Sequence, residues 1–181
     1  WLEGQLGLTG HPDNTEYLRI ELYRQAMGQH LAECEQEPLL KPLPFYAASY
    51  HADRFATATT LLNWRDELLL AGWNFQTSEK MPERLRDFIA VEELFKVKLS
   101  DPELKKQAFG FADRFAVALE MLQKGHFLPL KELVLHHPET LQKPYIQHVI
   151  RLLRQRAPLT IREQETTCAA KAGTALGYLQ R

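Results

Sequence analysis

As far as Gly125 the apolar residues of this chain recur at three- and four-residue spacing; beyond it they gather in short blocks bounded by prolines. A helix-period pattern does not settle as a strand, nor the reverse, so the change of period divides the chain into two parts. The expected fold is mainly α: a four-helix accessory domain over residues 1–125, followed by a small βαβ segment over 126–181, α+β overall.

Asn14 or Thr15 is placed to cap a first helix carrying Leu18, Leu22, Met27, Leu31 and Cys34 on its apolar side. Three prolines between Pro38 and Pro44 end it, since an interior proline removes a backbone donor and clashes with the preceding turn. The aromatic segment Phe45–Tyr50 is too short to assign. Asp53 offers a carboxylate to the first free N–H groups of a second helix, with Leu61, Trp64, Leu68 and Ala71 on one stripe. Gly72 follows where a left-handed C-terminal cap falls. Pro82 opens a third helix with Leu85, Phe88, Ile89 and Phe95. Ser100 or Asp101, followed by Pro102, opens a fourth that carries Leu104, Ala108, Phe111, Phe115, Leu119 and Leu122 and runs to Gly125.

In the last third, Leu130–Leu135 reads as a strand between Pro129 and Pro138. A helix from about Pro138 to Gln155 follows, with Tyr145, Val149, Leu152 and Leu153 inward. Leu159–Glu163 then alternates like a second strand. The pattern predicts a βαβ crossover. Two strands alone make a poor sheet, so these are expected to complete one whose other strands lie elsewhere. The chain starts at Trp1 and stops in the helix-like Gly177–Arg181, so both ends read as the interior of a longer protein.

Composition limits the classes of function. A chain of 181 residues with 45% hydrophobic and 25% charged residues has the makings of a globular core. A formal charge of -1 supplies no overall attraction to nucleic acid, though it is compatible with a local basic face. No stretch is apolar for long enough to span a membrane, and no membrane partner is expected. Two cysteines far apart, Cys34 and Cys168, do not make a disulfide framework, which fits a reducing, cytoplasmic setting.

Neither a GxxxxGK[ST] nor a GxGxxG loop occurs, so the chain has no phosphate cradle of its own for nucleotide hydrolysis. Of the seven histidines, His126, His136, His137 and His148 lie nearest one another. Adjacent strand residues such as His136 and His137 point to opposite faces, and no HExxH or CxxC accompanies them. Glu92–Glu93 and Asp66–Glu67 diverge by about 100° on a helix and read as solvated faces. Asp101-Pro102-Glu103-Leu104-Lys105 mimics part of a nuclease motif but is placed as a helix start. Cys34 has no histidine partner apparent in the sequence, Cys168 sits in Thr-Thr-Cys-Ala-Ala, and Ser49 lacks a GxSxG setting. No catalytic residue, metal site or cofactor is therefore assigned.

The segment from Phe45 to Trp73 interleaves aromatic and basic residues. Tyr46, Tyr50, Arg54 and Arg65 are the candidates for stacking bases, holding phosphates or contacting another domain. Against this stands a structural reading in which Trp64 and Trp73 anchor the core, Arg65 pairs with a nearby acid, and Asp53 and Gly72 cap a helix.

Phe45-Tyr46-Ala47-Ala48-Ser49, then Asp53, Ala56-Thr57-Ala58 and Leu62-Asn63-Trp64-Arg65-Asp66-Glu67-Leu68-Leu69-Leu70-Ala71-Gly72-Trp73 together resemble a stretch near the N-terminus of AddB-like helicase–nucleases. The opening Leu2-Glu3-Gly4-Gln5-Leu6-Gly7-Leu8 and the late strand–helix–strand pattern are similar to the same region. The specific part covers about thirty residues. These large proteins join a UvrD/RecB-type superfamily 1 helicase body to a C-terminal PD-(D/E)xK nuclease. The resemblance implies an accessory insertion in the first helicase domain, after the phosphate loop and before the nuclease, with the last strands at the edge of a RecA-like sheet. It implies a part in ATP-dependent unwinding and exonucleolytic resection during double-strand break repair and recombination. ATP and Mg²⁺ are expected for the parent protein, and the partners are the remainder of that protein and DNA. The family's catalytic residues have no counterparts here. The alternative is a helical protein–protein interaction module without a nucleic-acid role.

Overall fold

The structure, a computed structural model, describes residues 8, 16–125, 131–136, 141–155 and 159–164, with only the backbone of Lys106 and Gln164. The expected cap at Asn14 or Thr15, the segment Leu2–Gly7, and His126, His137 and Cys168 lie outside these residues. Among the described residues the protein is mainly helical, with seven helices and a two-stranded parallel sheet. The chain divides into two compact units, Trp1–His126 and Phe127–Arg181.

In the first unit, α1 (Glu16–Gln36) is the central helix. It buries Ile20, Leu22, Tyr23, Ala26, Met27, His30, Leu31 and Cys34, a wider face than one stripe. It packs against α3 (Arg54–Leu70), α4 (Glu83–Lys98) and the short α5 (Pro102–Ala108), while α6 (Phe111–Gln123) packs on α3. Phe45–Tyr50, unassigned from sequence, leads into a six-residue helix, α2 (Ala47–Ala52), which also lies on α3. Tyr23, Met27, Tyr46 and Phe95 are the largest apolar groups with almost no solvent exposure, and Tyr23 meets Phe95 edge-on at 5.3 Å between centroids.

Local signals set several helix ends. The Asp53 carboxylate accepts from the N–H groups of Phe55 (3.0 Å) and Ala56 (2.9 Å) to start α3. Gly72 ends it at φ +91°, a left-handed conformation open to glycine, and the Trp73 N–H reaches back to the Leu68 carbonyl at 2.9 Å. Asp101 accepts from the N–H groups of Glu103 (2.9 Å) and Leu104 (3.4 Å), and Pro102 occupies the first turn of α5. The aspartate–proline–glutamate run is thus a helix start.

Three expectations fail. The fourth helix does not run unbroken from Ser100 to Gly125; it stops at Ala108 and restarts at Phe111. Gly110 lies between the two, where an added Cβ would come within 2.4 Å of the Arg19 Cζ. A guanidinium from α1 fills the space that a side chain there would need. Trp64 does not join the core either: it is 48% exposed. The buried side of α3 is Thr57, Ala58, Leu61, Leu62 and Arg65, so Arg65 holds the inward position that the stripe gave to Trp64. Phe111, expected on the inner stripe, is half exposed. Trp73 is partly buried against the core and against a satellite cluster of Phe75, Met81 and Ile89.

In the second unit, β1 (Glu132–His136) pairs in parallel with β2 (Thr160–Gln164), Leu133 facing Ile161 and Leu135 facing Glu163. Between them runs α7 (Pro144–Arg154), which begins six residues later than its first proline suggested, with Pro144 in its first turn. Ile150 and Leu153 are buried in it, while Tyr145, Val149 and Leu152 are half-buried. The sheet has one polar face: Glu132, Val134, His136, Thr160 and Arg162 are all exposed there, and Arg162 Nε meets Glu132 Oε1 at 2.8 Å.

Candidate functional site

The candidate contacts fall into two groups. Arg65, from the middle of α3, is buried and surrounded by acids. Its Nε and Nη2 reach Glu92 of α4 at 2.6 and 2.9 Å, its Nη2 also reaches Asp113 of α6 at 2.6 Å, and its Nη1 reaches Asp66 at 3.0 Å. Arg19 of α1 closes the cluster, with Asp66 at 2.5 and 2.6 Å and Asp113 at 3.0 Å. Asp113 also accepts the Gly110 N–H at 3.0 Å, and Lys96 stands 3.7 Å from Glu92. Arg19, Arg65 and Lys96 thus face Asp66, Glu92 and Asp113, three charges of each sign joining α1, α3, α4 and α6.

Burial opposes the charge on Arg19, Arg65 and Asp113, and the partners outweigh it. Desolvation acts to raise Asp113, but the charges of Arg65 and Arg19 hold its carboxyl below the ordinary aspartate value. The same balance leaves Arg65 well above its usual value, with Glu92 and Asp113 overcoming burial. A guanidinium fixed in this way stays protonated and has its donors occupied by carboxylates. It exchanges no proton and is closed to a phosphate. Asp66 and Glu92, read from sequence as solvated, are drawn into the cluster, while their neighbours Glu67 and Glu93 remain exposed.

Tyr46 and Tyr50 are also inside. The Tyr46 hydroxyl lies 3.1 Å from the Met27 carbonyl, to which it donates, and 2.9 Å from His30 Nδ1. Burial pushes the Tyr46 hydroxyl far above its normal value and holds the His30 ring below the usual histidine value. Tyr50 donates to the Arg24 carbonyl at 2.8 Å. Neither ring presents a face on which a base could stack. Arg54 alone of the four is at the surface, 5.9 Å over the Tyr50 ring.

Cys34 does have a histidine beside it: Nε2 of His30, one helical turn earlier, lies 3.7 Å from its sulfur. Burial raises the thiol's pKa, so it stays protonated and is a poor nucleophile. Among the described residues no group of three or more His, Cys, Asp or Glu is placed to hold a metal ion, and no helix is long and apolar enough to cross a membrane.

Arg19 and Asp113 were not among the sequence candidates, and Glu92 was read there as part of a solvated face. One local sign was available, since Arg65 lies three and four residues after the apolar Leu62 and Leu61, on the stripe that faces the core. No family model, no curated protein and no solved structure matches the chain.

Proposed function

We propose that this chain is a noncatalytic helical brace within an ATP-dependent DNA helicase–exonuclease of double-strand break repair and recombination. The supporting observation is the buried cluster around Arg65. Its arginines bond by direction as well as by charge, fixing the relative position of α1, α3, α4 and α6. Arg65 and Asp66 lie inside the run Leu62–Trp73, which carries the resemblance to AddB-like proteins. ATP and Mg²⁺ belong, on this reading, to the parent's own catalytic domains. The sheet of the second unit, whose two strands have no further partner among the described residues and which has one solvated face, suits the margin of a larger sheet better than its centre.

The surrounding open reading frame tests this directly. A phosphate-loop motif is expected upstream and an acid-plus-lysine nuclease motif downstream; a frame containing neither sinks the assignment. ATP hydrolysis or DNA cleavage by the purified 181-residue chain would equally overturn its noncatalytic role.

One feature favours the alternative of a protein–protein interaction module. The loop between α1 and α2 holds Leu39, Leu40 and Leu43 at 98%, 80% and 61% exposure. On that reading, replacing the three with serine abolishes a partner complex whose strength barely changes with salt.

A further inference from the structure

Outside the Arg65 cluster, the first unit has a surface groove of about 480 Å³ between α1, α2 and the start of α3. Arg24, Tyr50, Arg54 and Lys98 line it together with Glu35 and His51, which are paired with each other at 3.1 Å. Arg24 is held by Glu21 at 2.6 and 2.7 Å. Neither Arg54 nor Lys98 has a carboxylate partner among the described residues, so two cations remain to meet an anion. The wall is fixed from behind: Tyr50 lies so close to Gly28 that a Cβ there would stand 2.6 Å from its hydroxyl.

An exposed aromatic pair precedes this groove along α1. Tyr17 of α1 and Phe55 of α3 stack with centroids 6.1 Å apart at an interplanar angle of 24°, and they are 73% and 41% exposed. Phe55 follows Arg54 directly. Tyr17, Arg24 and Leu31 fall seven residues apart along α1, on one side of the helix, so the rings precede the groove by about 10 Å. Two wet, stacked rings in line with unpaired cations are the parts a single strand of nucleic acid requires: a π-face for a base and positive charge for the following phosphates.

We propose that the Tyr17–Phe55 pair and the groove carrying Arg54 and Lys98 form a binding site for single-stranded nucleic acid, without sequence preference. The choice of DNA as its natural strand rests on the helicase–nuclease reading above; the recognition chemistry does not. Stacking on rings is indifferent to base identity, and the groove offers charge to the backbone.

Fluorescence anisotropy with a labelled oligothymidylate tests the site in the whole chain. Wild type is expected to bind at about 50 mM salt and to weaken steeply by about 200 mM. Arg54→Gln with Lys98→Gln should weaken binding roughly tenfold and flatten the salt slope by about 1.4, two phosphate contacts' worth. Tyr17→Ala with Phe55→Ala should weaken it roughly tenfold while leaving that slope unchanged. The control pair Lys80→Gln with Arg86→Gln, both exposed and away from the groove, should match wild type. Thermal melting of each variant at the wild-type midpoint establishes that the fold is intact. No binding by wild type, or equal loss in the control pair, overturns the site. Saturable binding of inorganic phosphate without the oligonucleotide also overturns it, reassigning the groove to a small anion. None of these failures touches the bracing role, which the reading frame tests separately.

Discussion

Asp113 receives one guanidinium nitrogen from Arg65 at 2.6 Å and another from Arg19 at 3.0 Å, and all three groups are largely withdrawn from water. Asp113→Ala therefore leaves buried positive charge without its counterpart, and a loss of about 3–5 kcal/mol is expected in urea denaturation. A loss below about 1 kcal/mol would mean that water enters the cluster freely. Two tyrosines separate hydrogen bonding from simple burial. The Tyr23 hydroxyl is buried without a partner among the described residues, whereas that of Tyr46 is engaged by Met27 and His30. Tyr23→Phe should leave the denaturation midpoint unchanged or higher, while Tyr46→Phe should lower stability by about 1–3 kcal/mol. Acid acts on His30. Its folded-state pKa is depressed by burial, so the stability tied to the neutral ring is complete above its unfolded value of about 6.5 and lost as pH falls through the folded value. Denaturation midpoints followed downward from about pH 7 should show this decline, and His30→Gln should reduce it. Little of this was readable from the chain itself. Besides the adjacent Asp66, the acids that claim Arg65 come from two other helices, 27 and 48 positions away in the numbering, and no local pattern announces such a meeting.

Among the elements, those with their own start and stop signals were the legible ones. Asp53 and Gly72 delimit α3 through contacts within a few residues, and Asp101-Pro102 does the same for the start of α5. The interruption between α5 and α6 was not legible, because its occupant arrives from α1: Arg19 fills the place beside Gly110. Gly110→Ala should therefore cost about 1–3 kcal/mol by displacing that guanidinium. A double-mutant cycle with Arg19→Ala should show the two changes coupled rather than additive. Asp53→Ala, by contrast, removes only a cap, and thermal unfolding should register a loss of about 1 kcal/mol. Trp64 shows how an apolar stripe misleads by one position: the tryptophan satisfied the spacing, but the adjacent arginine took the inward place because carboxylates were waiting there.

For the whole molecule, the mainly helical character of the chain and the late strand–helix–strand order followed from periodicity and punctuation, which are local. How the helices are joined did not, since that depends on which side chains meet. The second unit carries a further consequence. Its paired strands largely alternate: Leu133, Leu135 and Ile161 share one side with Glu163, and Glu132, His136, Thr160 and Arg162 share the other with Val134. A neighbour laid along either free edge inherits the same two sides, because the pleat fixes which residues share a face. A strand that extends this sheet therefore meets one mainly oily side and one mainly charged side, and an unbroken valine–isoleucine run would add hydrocarbon to the side that holds Arg162 and Glu132.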